Sequence, residues 1–261
     1  MPRQAVHIGP EKLIASAVPQ LLVGQYHTES SALHDAQFVG ILRPWQGFES
    51  SVRATHQSHS WRSETLALKM MTRDPYASGN LIVGDKHGLL TRFHKYFGDV
   101  LNSIFQSHSI GMRFADFKCA GSGHKNTPDT IMMDDNYEVK VAGELKTPWV
   151  RQHRLEGFFH KPILLRKVLA QLIQYMQHAD CVYGFLSNYE ETIFLRQRQD
   201  EQGLWRIEYS PVIRSSETYN KYGRGNLPAV SVRQCFFYVG CEALAQRAAN
   251  NTTPDWVVTR E

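Results

Sequence analysis

The chain has 261 residues, 42% of them hydrophobic, with 29 Lys and Arg against 25 Asp and Glu. This is enough apolar material for one sizeable core, and a net charge of +4 permits a polyanionic partner without indicating one. Cys119, Cys181, Cys235 and Cys241 form no Cys-x-x-Cys pair and fit neither a zinc site nor a small disulfide framework, and no apolar run approaches the ~20 residues that cross a bilayer.

Residues 1–60 are rich in His, Ser, Gln and Gly with little sustained periodicity, which predicts an N-terminal extension of short elements and irregular wrapping. Within it, "LIASAVPQLLVG" (13–24) has the flavour of a signal segment but is broken by Pro19 and Gln20. With its cysteines reduced, the protein is expected to be nuclear or cytoplasmic, not secreted and without a membrane partner. "SETLALKMM" (63–71) predicts a short helix opening on a capping serine and an early glutamate, Glu64. "GLLTRFHKYFGDVLNSIFQ" (88–106) places Leu89, Phe93, Phe97, Val100, Leu101, Ile104 and Phe105 at helical spacing, so its apolar side should face a sheet.

"MRFADFKCAG" (112–121) then alternates as a strand does, and it leads into a hairpin at "PDTIMMDDNYEVKVAGELKTPW" (128–149). "ILLRKVLAQLIQYMQ" (163–177) is a strong helix with Leu165, Val168, Leu169, Leu172 and Met176 on one face. Two strands follow at "CVYGFLS" and "ETIFLRQRQ", and a turn at "DEQG" returns the chain through "LWRIEYSPV". "SVRQCFFYVGCEALAQRA" (231–248) predicts a closing helix with Ser231 at its cap and Gln234 three residues on. The order defines an α+β fold of α/β type, a mixed sheet flanked by helices, over 61–248, with 249–261 as a C-terminal tail.

The hairpin carries the chemistry. With Asp135-Asn136 as a two-residue turn, residue 134 pairs with 137 and 129 falls opposite 142. Asp129, Ala142, Glu144 and Lys146 then share one face, while Thr130, Met132, Val139, Val141, Gly143 and Leu145 supply core on the other. Asp129 and Glu144 become diagonal neighbours within reach of one shared ion. Two carboxylates this close repel unless a positive charge lies between them, and a hard cation such as Mg²⁺ takes such oxygen ligands while keeping several waters. An ordinary polar sheet face is the competing reading of the hairpin taken alone.

Three motifs in order change the balance: Pro128-Asp129, Glu144-Leu145-Lys146, and Gln171-Leu172-Ile173-Gln174-Tyr175 on the strong helix. Here the chain resembles the PD-(D/E)XK nuclease superfamily, with a QLxxY helix similar to that of its RecB-like branch. "GELKTPW" looks like the fungal group of PD-(D/E)XK-like proteins. The resemblance spans roughly residues 60–245 by element order and is specific only at the motifs. It implies a restriction-endonuclease-like αβββαβ core, Mg²⁺ or Mn²⁺, and hydrolysis of phosphodiester bonds in nucleic acid, with DNA favoured over RNA and a homodimer as a candidate functional unit. Carried over residue by residue, Asp129 and Glu144 are metal ligands with the Leu145 carbonyl as a third. Lys146 and Gln171 are catalytic, and Tyr175 binds substrate or supports the site. Glu64 is the candidate for a further acidic ligand, against the simpler role of helix-start chemistry. A chain of this fold that binds nucleic acid or protein without cutting is the alternative.

From Lys140 to Lys167 seven Lys or Arg face two acids, with His153, His160, Trp149, Phe158 and Phe159 interleaved. Arg151, Arg154 and Lys167 are the substrate-binding candidates of that segment, set against a solvated loop whose aromatics are pinned into the core. "NKYGRGNLP" (220–228) is a second basic stretch that reads either as a substrate-facing loop or as a plain connection.

Overall fold

The computed structural model describes residues 5–29, 36–63, 66–69, 82–121, 127–219 and 229–259. Glu64 and the 220–228 stretch lie outside the described residues. Before the first helix of the central body come β1 (Ala5–Ile8), α1 (Pro10–Ile14), β2 (Leu22–Val23), β3 (Ala36–Phe38), β4 (Ile41–Pro44), α2 (Phe48–Ser58), β5 (Leu66–Lys69) and β6 (Ile82–Val83). The segment expected as an irregular extension is therefore built in. Leu13, Ile14, Val18, Trp45, Phe48 and Val52 join the same buried cluster as the closing helix, and β4 adds a parallel edge strand to the main sheet.

The expected helix at 63–71 is corrected. Leu66–Lys69 is a strand, antiparallel to Ala5–Ile8 with Leu66 opposite Ile8. A nine-residue segment is too short to hold helix by itself against the pairing offered by a distant extended segment, so tertiary contact overrides local preference.

Next come α3 (Lys86–Phe93) and α4 (Asp99–Ser107), joined through a π-helical turn at His94–Gly98. The expected helix is thus present, with a widened turn that keeps Phe93, Phe97, Leu101, Ile104 and Phe105 on the buried side. Asp85 caps α3 by accepting the Gly88 N–H at 2.7 Å. β7 (Met112–Ala115), β8 (Thr130–Asp134) and β9 (Val139–Leu145) form an antiparallel meander. After the short α5 (Glu156–Phe159), α6 (Pro162–His178) crosses over, and β10 (Tyr183–Ser187) lies parallel to β9.

β11 (Glu191–Gln199), β12 (Trp205–Tyr209) and β13 (Ile213–Arg214) complete an eight-stranded mixed sheet of order β4-β12-β11-β10-β9-β8-β7, with β13 paired to β11. Helices cover both faces, so the class is α+β. α3, α4 and α7 (Val232–Ala245) bury one face, and α6 buries the other through Leu165, Leu169, Leu172, Ile173 and Met176. Each such Leu or Ile contributes roughly 1.5–3 kcal/mol on burial. Ser231 and Gln234 form the expected capping box of α7. β14 (Val257–Thr259) pairs with β3, so part of the expected tail is integrated as well.

The hairpin keeps Asp129 and Glu144 on one face but not its expected register, and Val139, expected on the face of Val141, stands opposite Met133 and packs with Ile131 on the other. Thr130 stands opposite Gly143 and Ile131 opposite Ala142, which displaces the strands by two residues and sets Asp129 at the level of Glu144. The turn contains three residues, Asp135 to Tyr137, with Tyr137 at φ 66° and the Asp134 carboxylate accepting from the N–H groups of Asn136 and Glu138. That turn alone would put Glu144 on the face away from Asp129. A bulge between Met132 and Met133 leaves Lys140 as an extra residue, adds a second one-residue shift and restores the parity.

Candidate metal centre

Asp129 sits just before β8, and its backbone N–H donates to Gly143 O at 3.0 Å. Its side chain turns back across the hairpin, where Oδ2 accepts the Leu145 N–H at 2.7 Å. Glu144 lies near the end of β9 and is 1% exposed. Lys146, one residue beyond the strand, donates its backbone N–H to Ser187 O at 2.9 Å, so the parallel ladder with β10 fixes where its side chain starts. Its ammonium lies 2.9 Å from Glu144 Oε1 and donates to Gln171 Oε1 at 2.8 Å. Gln171 and Tyr175 lie one turn apart on α6, and the Gln171 amide donates to the Tyr175 hydroxyl.

A residue the sequence reading missed completes this arrangement. Lys86, in the first turn of α3, places its ammonium 2.8 Å from Asp129 Oδ2 and 3.2 Å from Glu144 Oε1. Burial works against its charged form, but the carboxylates of Glu144 and Asp129 outweigh it and raise the Lys86 ammonium above its ordinary value. Asp129 is pushed up to about 6, by burial first and by the Glu144 charge second, against the opposing pull of Lys86 and the Leu145 N–H.

Lys86, Glu144, Leu145, Lys146 and Gln171 border a cleft of about 480 Å³ whose walls also include Thr28, Thr147 and His153. A larger cleft of about 880 Å³, lined by Arg154, Glu190 and Arg214 among others, holds no comparable convergence of acids and lysines. Chemistry, not volume, identifies the candidate site. His153, expected only as one of the rings interleaved in the basic segment, is buried at this cleft: its Nδ1 lies 3.0 Å from Thr147 O, and its Nε2 has no hydrogen-bond partner. Burial pushes the ring below its ordinary value, against the Thr147 hydrogen bond and with the Lys146 and Lys86 charges adding to it, which favours the neutral imidazole. Asn188 donates to His153 O at 2.9 Å and Glu191 accepts the Leu155 N–H at 2.6 Å, which clamps the loop after Lys146 to the start of β11.

The other expected residues divide. Asp129, Glu144, Leu145, Lys146 and Gln171 come together. Leu145 contributes its N–H to Asp129 while its side chain is buried in the core. Tyr175 is 7% exposed and sits behind Gln171, the position of a support. Lys167 lies one turn before Gln171 on the same helix and is partly buried. Arg151 is exposed on a one-turn helix, and Arg154 faces the larger cleft. Phe158 and Phe159 pack against the α6 core, and the Trp149 indole N–H donates to Thr28 O at 2.7 Å, so these aromatics are anchored in the way the solvated-loop reading expected.

The residues fit a hard divalent cation on the chemistry of the pair itself. Glu144 Oε2 is buried without a hydrogen-bond partner, and the two carboxylates already converge on one positive charge. Among the described residues no group of three or more His, Cys, Asp or Glu gathers around one point, so a metal here would draw its remaining ligands from backbone oxygen and water. All four cysteines are free, and no helix among the described residues is long and apolar enough to cross a membrane. Comparison with protein-family models, curated proteins and solved structures returns no match to this chain.

Proposed function

We propose that the chain is a divalent-metal-dependent nuclease with a restriction-endonuclease-like core, hydrolysing phosphodiester bonds in DNA in preference to RNA. The observation that carries this reading is the convergence of the Asp129 and Glu144 carboxylates on one cation position, with the Lys146 ammonium 2.9 Å from Glu144. Element order supports it: the α3–α4 helix, the meander β7–β8–β9, the α6 crossover and β10 run in the αβββαβ order of that core. Asp129 and Glu144, with the Leu145 carbonyl, would hold Mg²⁺ or Mn²⁺. Bound there, the metal acidifies water and offsets charge on the scissile phosphate.

The chain's own groups divide the remaining work. Lys146 orients the attacking water and stabilises negative charge that develops on the phosphate oxygens. Gln171 fixes the Lys146 ammonium, and Tyr175 fixes Gln171. Lys167, and Arg151 from the basic loop, supply phosphate contacts.

A second reading rests on Lys86. Its ammonium bridges both carboxylates without a metal, an arrangement compatible with a nuclease-fold module that binds nucleic acid or protein without cutting it. Incubation of labelled single- and double-stranded DNA and RNA with Mg²⁺, Mn²⁺ or EDTA separates the two. The nuclease reading expects metal-dependent cleavage that falls on the order of 10²–10³-fold in Glu144→Gln and in Lys146→Met. Retention of the same substrates without cleavage in any condition selects the binding module.

A further inference from the structure

The two lysines at the carboxylates are held differently. Lys146 is 9% exposed, and Gln171 accepts a second hydrogen bond from its ammonium. Lys86 is 47% exposed, reaches in from the first turn of α3, and its hydrogen bonds among the described residues run to Asp129 and Glu144. A four-carbon stem with an exposed flank can swing outward at little steric cost. The same stem cannot stay where it is beside a divalent ion. An ammonium 2.8 Å from Asp129 and 3.2 Å from Glu144 occupies the space between the acids that an ion bound to both at about 2.1 Å would take, and like charges repel at that range.

We infer that Lys86 is a resident cation that competes with the divalent metal for Asp129 and Glu144, so that the metal enters only as Lys86 leaves. This rests on the metal reading of the site and adds a residue that sets metal affinity. With Lys86 seated, its ammonium bridges the two acids and offsets one of their charges, and the helix α3 is tied to the hairpin. With Lys86 displaced, that tie is broken, and its ammonium is free at the wall of the cleft. The apparent metal affinity is the intrinsic affinity multiplied by the fraction of molecules in which Lys86 is displaced.

The test is Mn²⁺ binding to the full chain at about pH 8, read by the loss of the free Mn²⁺ paramagnetic resonance signal, for wild type, Lys86→Met and Glu144→Gln. Lys86→Met is expected to bind Mn²⁺ roughly tenfold more tightly than wild type or better, and Glu144→Gln to lose the site. A second measurement needs no variant: acetylation of Lys86 in wild type, followed by peptide mass, should be slow alone and accelerate when Mn²⁺ is added. Equal or weaker Mn²⁺ binding in Lys86→Met overturns the inference and leaves the metal reading intact. So does Lys86 acetylation that stays unchanged while Mn²⁺ binds. Failure of wild type and Lys86→Met alike to bind Mn²⁺ overturns the metal reading and the inference with it.

Discussion

Lys146 and Gln171 are joined by a 2.8 Å hydrogen bond that runs from the end of β9 to the middle of α6. The same glutamine donates to Tyr175 one turn later, so a helix packed on the sheet aims the lysine of the hairpin. Gln171→Ala should leave the fold intact and lower cleavage roughly 10–100-fold with little change in substrate affinity, because it frees the Lys146 ammonium to rotate. Tyr175→Phe removes the acceptor of the Gln171 amide. It should produce a smaller loss in rate and destabilise the chain by about 1 kcal/mol in urea unfolding.

Proton competition gives a pH prediction. Asp129 titrates at about 6 in the fold, so Mn²⁺ affinity should be flat above about pH 7 and fall close to tenfold per pH unit below about pH 6. Calorimetric titrations across that range check it. A slope that begins only near pH 4 would mean that Asp129 is not a ligand.

The same shift makes a statement about stability without metal. A carboxyl raised from 3.8 to about 6 favours the folded state most below about pH 4, and that contribution is lost as pH rises through 6. At neutral pH the ionised Asp129 therefore burdens the metal-free protein by up to ~3 kcal/mol. In EDTA, Asp129→Asn should melt above wild type at pH 7 to 8 and show no gain near pH 4, while losing Mn²⁺ binding at every pH.

Gly143 faces Thr130 across the hairpin, and its position is dictated by β10 next door. An added Cβ would overlap the Phe185 ring and lie 2.9 Å from Thr130 Cγ2. Gly143→Ala should destabilise by roughly 1–3 kcal/mol. It should also weaken Mn²⁺ binding, since Glu144 is the next residue and moves with the strand. Thermal unfolding with and without Mn²⁺ measures both.

Local patterning made much of this legible. The α6 and α7 helices stand where apolar spacing and the Ser231–Gln234 cap put them, and β11 spans Glu191–Gln199 as its alternation predicts. The shared face of Asp129, Glu144 and Lys146 was also readable, although through a two-residue turn. The true three-residue turn and the bulge at Lys140 shift the register twice, and period-two alternation is blind to an even shift. Lys86 and Leu66–Lys69 were not readable for a different reason. Lys86 is separated from Glu144 by 58 positions, and β5 owes its form to pairing with residues near the N-terminus. Neither relationship leaves a local spacing in the sequence.

The most direct test of the metal centre is anomalous scattering from a crystal grown with Mn²⁺. The account predicts one manganese peak about 2.2 Å from an oxygen of Asp129 and an oxygen of Glu144, with the Lys86 ammonium turned out of its present place. Density that keeps Lys86 bridging Asp129 and Glu144, with no manganese between them at saturating Mn²⁺, would contradict it.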